Sequence, residues 1–216
     1  MKLFTVGHSN LNIEAFITLL QKHEVTALAD VRSYPYSRYL PHFNQTELNI
    51  SLSDKGIRYV FLGRELGARP SDLTCYVAGK ALYENIAATE LFAEGIERII
   101  KGVKTYKIAL MCAEKDPITC HRTILVCQHL RSCGLEISHI LQDGSLETHQ
   151  HLEDRLLNLH GLNYYKVFEN RQLSLFDVLD NTNNYSKEDA THEAYKKQGE
   201  KIAYVDKKGK YYEKVS

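Results

Sequence analysis

Three short polar clusters interrupt otherwise apolar runs in this chain: Gly7-His8-Ser9, DVRSYPYSR at 30–38, and CAEKDPITCHR at 112–122. Their residue types are those of proton transfer and anion binding. His8 and His121 titrate near neutral pH. Glu114 is able to act as a base or a nucleophile. Asp30 can orient a histidine, although pairing with an arginine is the simpler role. Arg32, Arg38 and Arg122 each offer forked hydrogen bonds to phosphate or carboxylate. Arg122 also falls in the first turns of an expected helix, where backbone N–H groups attract anions. Ser9 and Ser37 add hydroxyls nearby. The expected catalytic set is thus His8, Asp30, Glu114 and His121, and the expected anion-binding set is Ser9, Arg32, Ser37, Arg38 and Arg122.

The cysteines of the third cluster admit further readings. Cys112, Cys120 and His121 could ligate a metal, with His8 as a fourth ligand, but their spacing is not the tight C-x2-C of structural zinc sites. A cysteine at a helix N-terminus would have a depressed pKa and act as a nucleophile. The loop of cysteine phosphatases, however, sets its cysteine and arginine closer in sequence than Cys112 and Arg122 stand. The plainest reading is two small buried thiols framing an anion site, with no metal and no cofactor clearly implied. Cys75, Cys127 and Cys133 read as core or surface thiols, and His149 and His151 as residues of a solvated helix face.

These clusters need elements to bring them together. Residues 2–8, 25–32, 57–63, 107–114 and 136–141 read as strands, several of them continuous apolar runs. Between them, helical spacing covers 12–24 with Asn12 as N-cap, a short stretch ending at Gly56, 81–88, 90–103, the stretch opening at Asp116-Pro117, and 147–159. Alternating strands and helices with buried strands predict an α/β fold: a mostly parallel, Rossmann-like sheet with helices on both faces. Ligands of such sheets bind beyond the carboxyl ends of the strands, where all three clusters fall. The α/β domain is expected over 1–170. A polar extension is expected over 181–216, with room for a β-hairpin around Lys208-Gly209.

Composition narrows the class. The 216 residues are 44% hydrophobic and 25% charged with zero net charge, ordinary for a soluble domain and without the field of a general nucleic-acid binder. The N-terminal apolar run is too short for a signal peptide or a membrane span. Five cysteines, an odd number, favour reduced thiols in the cytoplasm.

The motifs TVGHSN, DVRSYPYSR, GIRYVFLGRELGARP and MCAEKDPITCHR, followed by SHI, together resemble the family catalogued as Domain of Unknown Function 488, over about residues 3–141. The family pattern maps onto Gly7, His8, Ser9, Asp30, Arg32, Pro35, Ser37, Arg38, Cys112, Glu114, Cys120, His121 and Arg122. The resemblance implies an α/β fold and a bacterial or archaeal cytosolic protein, and it supplies no reaction. A separate segment, QLSLF at 172–176 within the stretch 171–180, resembles the pentapeptide with which bacterial polymerases and repair proteins dock on the DNA sliding clamp. Leu173, Leu175 and Phe176 would fill apolar pockets, and Gln172 would bond the rim. The expectation is an enzyme acting on DNA or a nucleotide, hydrolysing a phosphodiester or glycosidic bond and recruited by the clamp. A non-catalytic module that binds an anion or nucleic acid, and a cysteine- or metal-dependent enzyme, stand as alternatives.

Overall fold

The computed structural model describes residues 1–162 and 186–206. Its centre is a six-stranded sheet in the order β3-β2-β6-β1-β7-β8, formed by β1 (Lys2–Gly7), β2 (Ala27–Asp30), β3 (Arg58–Phe61), β6 (Ile108–Cys112), β7 (Glu136–Ile140) and β8 (Leu146–Thr148). The first five run parallel, and only β8 is antiparallel, paired to β7. Strand β8 occupies the opening of the segment 147–159 that helical spacing claims whole. Two short strands, β4 (Tyr76–Val77) and β5 (Lys80–Ala81), form a separate ribbon.

Side chains alternate across the pleat and build two cores. On one face Phe4, Val6, Leu28 and Met111 pack with α1 (Ile13–Lys22) and α2 (Gln45–Ser53) through Phe16, Leu20, Leu48 and Leu52. On the other, Leu3, Ala29, Val31 and Leu110 meet Leu66 of α3 (Gly63–Leu66), Ile86 of α4 (Tyr83–Ala87), Phe92 and Ile99 of α5 (Glu90–Gly102), and Leu125 and Val126. Each such leucine or phenylalanine contributes about 1.5–3 kcal/mol. Asn12 caps α1 as expected, its Oδ1 accepting from Ala15 N–H at 2.7 Å.

The stretch after Asp116 is broken into four pieces, the last a 3-10 turn at Arg131–Cys133. A 3-10 turn at Pro117–Thr119 is capped by Asp116; a π-helix at Arg122–Cys127 follows, then α6 (Gln128–Leu130). Pi-helical turns are rare and cluster at functional sites. The connection after β1 leaves to the face of α1 and that after β6 to the face of Leu125. Beyond the ends of these adjacent strands lies the crevice that such a switch point opens.

The C-terminal region is more structured than its composition suggests. Helix α8 (Lys187–Ile202) opens with a Ser186/Asp189 capping box and buries Ala190, Thr191, Ala194, Tyr195 and Gln198 as one stripe against α7 (His149–Leu159) and the π-helix. Lys201 and Ile202 close this helix, and the expected hairpin turn at Lys208-Gly209 lies outside the described residues. A directed chain of hydrogen bonds anchors α8 to the sheet. The Thr5 hydroxyl donates to His139 Nδ1 (2.8 Å), His139 Nε2–H to His149 Nδ1 (3.1 Å), His149 Nε2–H to the Tyr195 oxygen (3.0 Å), and the Tyr195 hydroxyl to Glu153 Oε1 (3.1 Å). His149 is therefore buried, correcting the solvated position its helical spacing suggests; His151 remains exposed. No helix among the described residues is long and apolar enough to cross a membrane.

Candidate active site

The three polar clusters meet at the carboxyl edge of β1, β2 and β6. Gly7 pairs with Cys112, and the next two amides continue the ladder: His8 N–H to Cys112 O (3.0 Å) and Ser9 N–H to Ala113 O (2.8 Å). Only glycine fits at position 7, because a Cβ there would lie 1.9 Å from the Glu114 carbonyl oxygen. This close approach seats the loop that carries Glu114.

Arg122 fixes the same loop from beneath. It is almost fully buried; its Nη1 donates to Glu114 O at 2.7 Å and its Nη2 to Lys115 O at 3.4 Å. Its Nε donates to Thr5 Oγ1 at 3.4 Å. The expected anion ligand is thus a buried brace whose fork grips backbone carbonyls.

Arg32 is likewise engaged. It forks onto Asp30 through Nε (2.9 Å) and Nη2 (2.7 Å), and Nη2 also donates to Phe43 O at 2.8 Å. Asp30 is fully buried and takes a third side-chain donor, the Tyr59 hydroxyl at 2.8 Å. Held by these partners, Asp30 has the structural role of an ion-pair anchor and faces no substrate space. Ser9 and Ser37 are engaged in local bonds: Ser9 Oγ donates to Asn10 Oδ1, and Ser37 Oγ accepts the Tyr39 and Leu40 amides. Arg38 is exposed and is not among the residues that line the pocket described below.

His8 belongs to the Asp30–Arg32 group. Its Nδ1–H donates to Ser9 O (2.9 Å), which leaves the Nε2 lone pair to Arg32 Nη1 at 3.4 Å, and its ring stacks on Phe43 with centroids 4.2 Å apart. Burial and then the Arg32 charge lower its pKa to about 4, so it stays neutral at pH 7. It is an acceptor for arginine, set apart from the groups around Cys112.

Those groups form the second half of the site. His121 Nε2–H donates to Val31 O at 2.9 Å, which turns Nδ1 toward Cys112 Sγ at 3.6 Å. Cys120 Sγ lies 2.9 Å from Glu114 Oε2. Cys112, Cys120 and His121 are buried and Glu114 is exposed, with one side-chain donor atom from each within 4.8 Å of the others. Burial raises the Cys112 thiol, helped by its contact with Cys120 and by the Glu114 charge. Burial acts the same way on Cys120, but the Cys112 hydrogen bond, Arg122 and His121 outweigh it and pull that thiol down. For His121, burial disfavours charge, yet Cys120 and the Val31 carbonyl prevail and raise its pKa.

Above this cluster opens a cavity of about 330 Å³ whose floor is Cys112, Glu114 and His121. Its walls carry Arg32, Tyr34, Tyr36, Arg69, Tyr83 and Tyr204. The Arg69 guanidinium lies over the Tyr204 ring at 4.5 Å from its centroid. Neither residue stands in the sequence-derived set. Arg69 sits inside the GRELGARP stretch at the end of the third strand's motif, which was the available signal; Tyr204 has none, since it arrives from beyond α8. A second cavity of about 190 Å³ between α8 and α4 contains none of Cys112, Glu114 or His121.

The family model described as Domain of unknown function DUF488 matches residues 12–128, beginning after β1 and ending in α6. No curated protein and no solved structure matches the chain.

Proposed function

The chain belongs to the family described as Domain of unknown function DUF488, and from that premise we propose an enzyme that hydrolyses a phosphate-bearing nucleotide or nucleic-acid substrate in the pocket over Cys112 and Glu114. One observation carries the reading: the pocket joins guanidinium and tyrosine walls to a floor of titratable groups. Arginines suit phosphate, and exposed tyrosine faces suit a base. Tyr34 and Tyr36 are 65% and 68% exposed. A retaining glycosidic mechanism would need two carboxylates at the substrate. Asp30 is committed to Arg32, which leaves Glu114 to take a proton from an attacking water.

The test is calorimetry with nucleoside monophosphates and short single-stranded oligonucleotides. Binding is expected, and Arg69→Ala should weaken it by about 1.5–3 kcal/mol, the worth of a charged hydrogen bond. Absence of binding for every nucleotide, or wild-type affinity in Arg69→Ala, would overturn the reading.

The means of recruitment belongs to the same proposal. Gln172–Phe176, outside the described residues, is its docking peptide for the sliding clamp of a bacterial host. The support is its sequence: three apolar side chains beside a glutamine, with a polar stretch beginning at Asp180. A cytoplasmic location is supported by the five free thiols.

A further inference from the structure

Beneath the pocket, Cys120 and Glu114 of the floor sit closer than two negative charges permit. At 2.9 Å, Cys120 Sγ and Glu114 Oε2 would repel as thiolate and carboxylate, so a proton or a cation must lie between them. The pair does not stand alone, because Cys112 Sγ and His121 Nδ1 complete a set of four donor atoms within 4.8 Å of one another. We propose that Cys112, Cys120, His121 and Glu114 form a binding site for one divalent, thiophilic metal ion of the zinc type, with Glu114 as the displaceable ligand on the pocket side.

Four features of the structure converge on this. First, a tetrahedral zinc with bonds of about 2.3 Å to sulfur and 2.0–2.1 Å to nitrogen sets those two ligand atoms about 3.6 Å apart. Cys112 Sγ and His121 Nδ1 are 3.6 Å apart, and the exposed Glu114 carboxylate, 2.9 Å from Cys120 Sγ, has to swing outward by about 0.7 Å to reach the same spacing. Second, His121 donates its other ring N–H to the Val31 carbonyl at 2.9 Å. That bond selects the tautomer with a lone pair on Nδ1 and is the usual outer support of a metal-bound histidine. Third, two thiolates and a carboxylate carry three negative charges. A divalent ion and the buried Arg122 guanidinium, whose charge acts on both thiols, balance them. Fourth, the backbone that carries the ligands is pinned: Arg122 holds the Glu114 carbonyl, and Gly7 lets that carbonyl approach β1. Soft sulfur with imidazole selects zinc over magnesium or calcium, which prefer oxygen. His8, the fourth ligand that sequence spacing suggests, is excluded by its bonds to Ser9 and Arg32. The exposed Glu114 takes that place.

The arrangement fits a hydrolytic centre. Three buried ligands hold the ion, and the fourth position faces the cavity, as in zinc enzymes that keep one site for water. Water replacing Glu114 would lose a proton to that carboxylate. The resulting hydroxide would form the new bond to the substrate as the leaving group departs with the proton from Glu114. The metal site itself stands on the side-chain geometry and does not depend on which substrate is correct.

The full chain, stripped with chelator, is titrated with Co²⁺ and then competed with Zn²⁺. One equivalent per chain is expected, with the intense visible bands of tetrahedral cobalt and a thiolate-to-cobalt charge-transfer band that zinc abolishes. Cys120→Ser and His121→Ala should lose these bands, and Cys133→Ser, at the surface, should keep them. Glu114→Gln should retain the charge-transfer band but surrender zinc to a weaker chelator. X-ray absorption on zinc-loaded wild type needs no variant to fold and should count two sulfur and two lighter neighbours. Substoichiometric metal, a zinc shell without sulfur, or undiminished bands in Cys120→Ser would overturn the site. Zinc uptake is read without substrate, so loss of nucleotide binding alone would count against the proposed function and leave this site intact.

Discussion

Two buried histidines should make the protein acid-sensitive well above the pH at which ordinary carboxylates titrate. His8 and His149 each have a pKa lowered from 6.5 to about 4, chiefly by burial and then by a nearby guanidinium, Arg32 for the first and Arg131 for the second. A depressed histidine pKa means that the unfolded chain binds more protons, so stability falls as pH drops below 6.5 and the loss levels off below about 4. At pH 5 each residue is about 1.5 pH units below its unfolded pKa. At 1.36 kcal/mol per unit, each loses about 2 kcal/mol and the pair about 4 kcal/mol. Total stability of a domain is only about 5–15 kcal/mol, so the urea midpoint should shift strongly. His139, deep in the same chain of hydrogen bonds, is lowered as well and acts in the same direction. His121 has the opposite sign: its raised pKa adds stability that is fully present below 6.5, so it cannot mask a slope between pH 6 and 5. Glu153, raised by burial, has the opposite sign to these histidines and regains stability as pH falls through its raised pKa. The assay is urea unfolding at intervals from pH 7.5 to 5. His149→Gln can keep the bonds to His139 and Tyr195 while removing the titration, and should recover about 2 kcal/mol of the loss at pH 5. A midpoint that stays constant over this range, or a His149→Gln slope as steep as wild type, would refute the reasoning.

Other perturbations read different parts of the same structure. Asp30→Asn leaves the buried Arg32 without its counter-charge and should cost about 3–5 kcal/mol by urea unfolding at pH 7.5. Gly7→Ala forces a methyl against the Glu114 carbonyl, and since that carbonyl is backbone the loop must shift; destabilisation of about 1–3 kcal/mol is expected by the same measurement, together with weaker cobalt binding. Tyr195→Phe deletes the hydroxyl shared by His149 and Glu153 and should cost about 1–3 kcal/mol, checked by thermal melting.

How much of this could be read before the fold was known depends on range. In a parallel sheet every strand ends on the same side, so locating strands at 2–8, 25–32 and 107–114 was enough to gather Gly7, Asp30, Cys112 and Glu114 at one edge. Pairing was harder to foresee. Whether Arg32 meets a ligand or Asp30 turns on a local fork two residues away, and the presence of an arginine alone does not distinguish the two. Sequence places Arg122 at a helix start, but the turn preceding it is 3-10 and the helix itself π-wound, and its side chain lies under the loop on the Glu114 carbonyl. Helix α8 leaves little trace in the sequence because it buries alanine, threonine and glutamine beside one tyrosine, a stripe with little hydropathy signal. With α8 went Tyr204, the pocket wall that it delivers.

The position of β1 has a consequence for how the molecule comes into being. Strand β1 lies in the middle of the sheet, and its two neighbours begin more than a hundred residues later, at 108 and 136. Until both have been translated, Leu3, Phe4 and Val6 lack their native strand partners on either side. Such long-range closure is slow and leaves apolar surface open to aggregation or chaperones in the meantime. The nascent chain therefore completes this sheet edge late: Gly7 can receive the Glu114 carbonyl only after β6 has been synthesised.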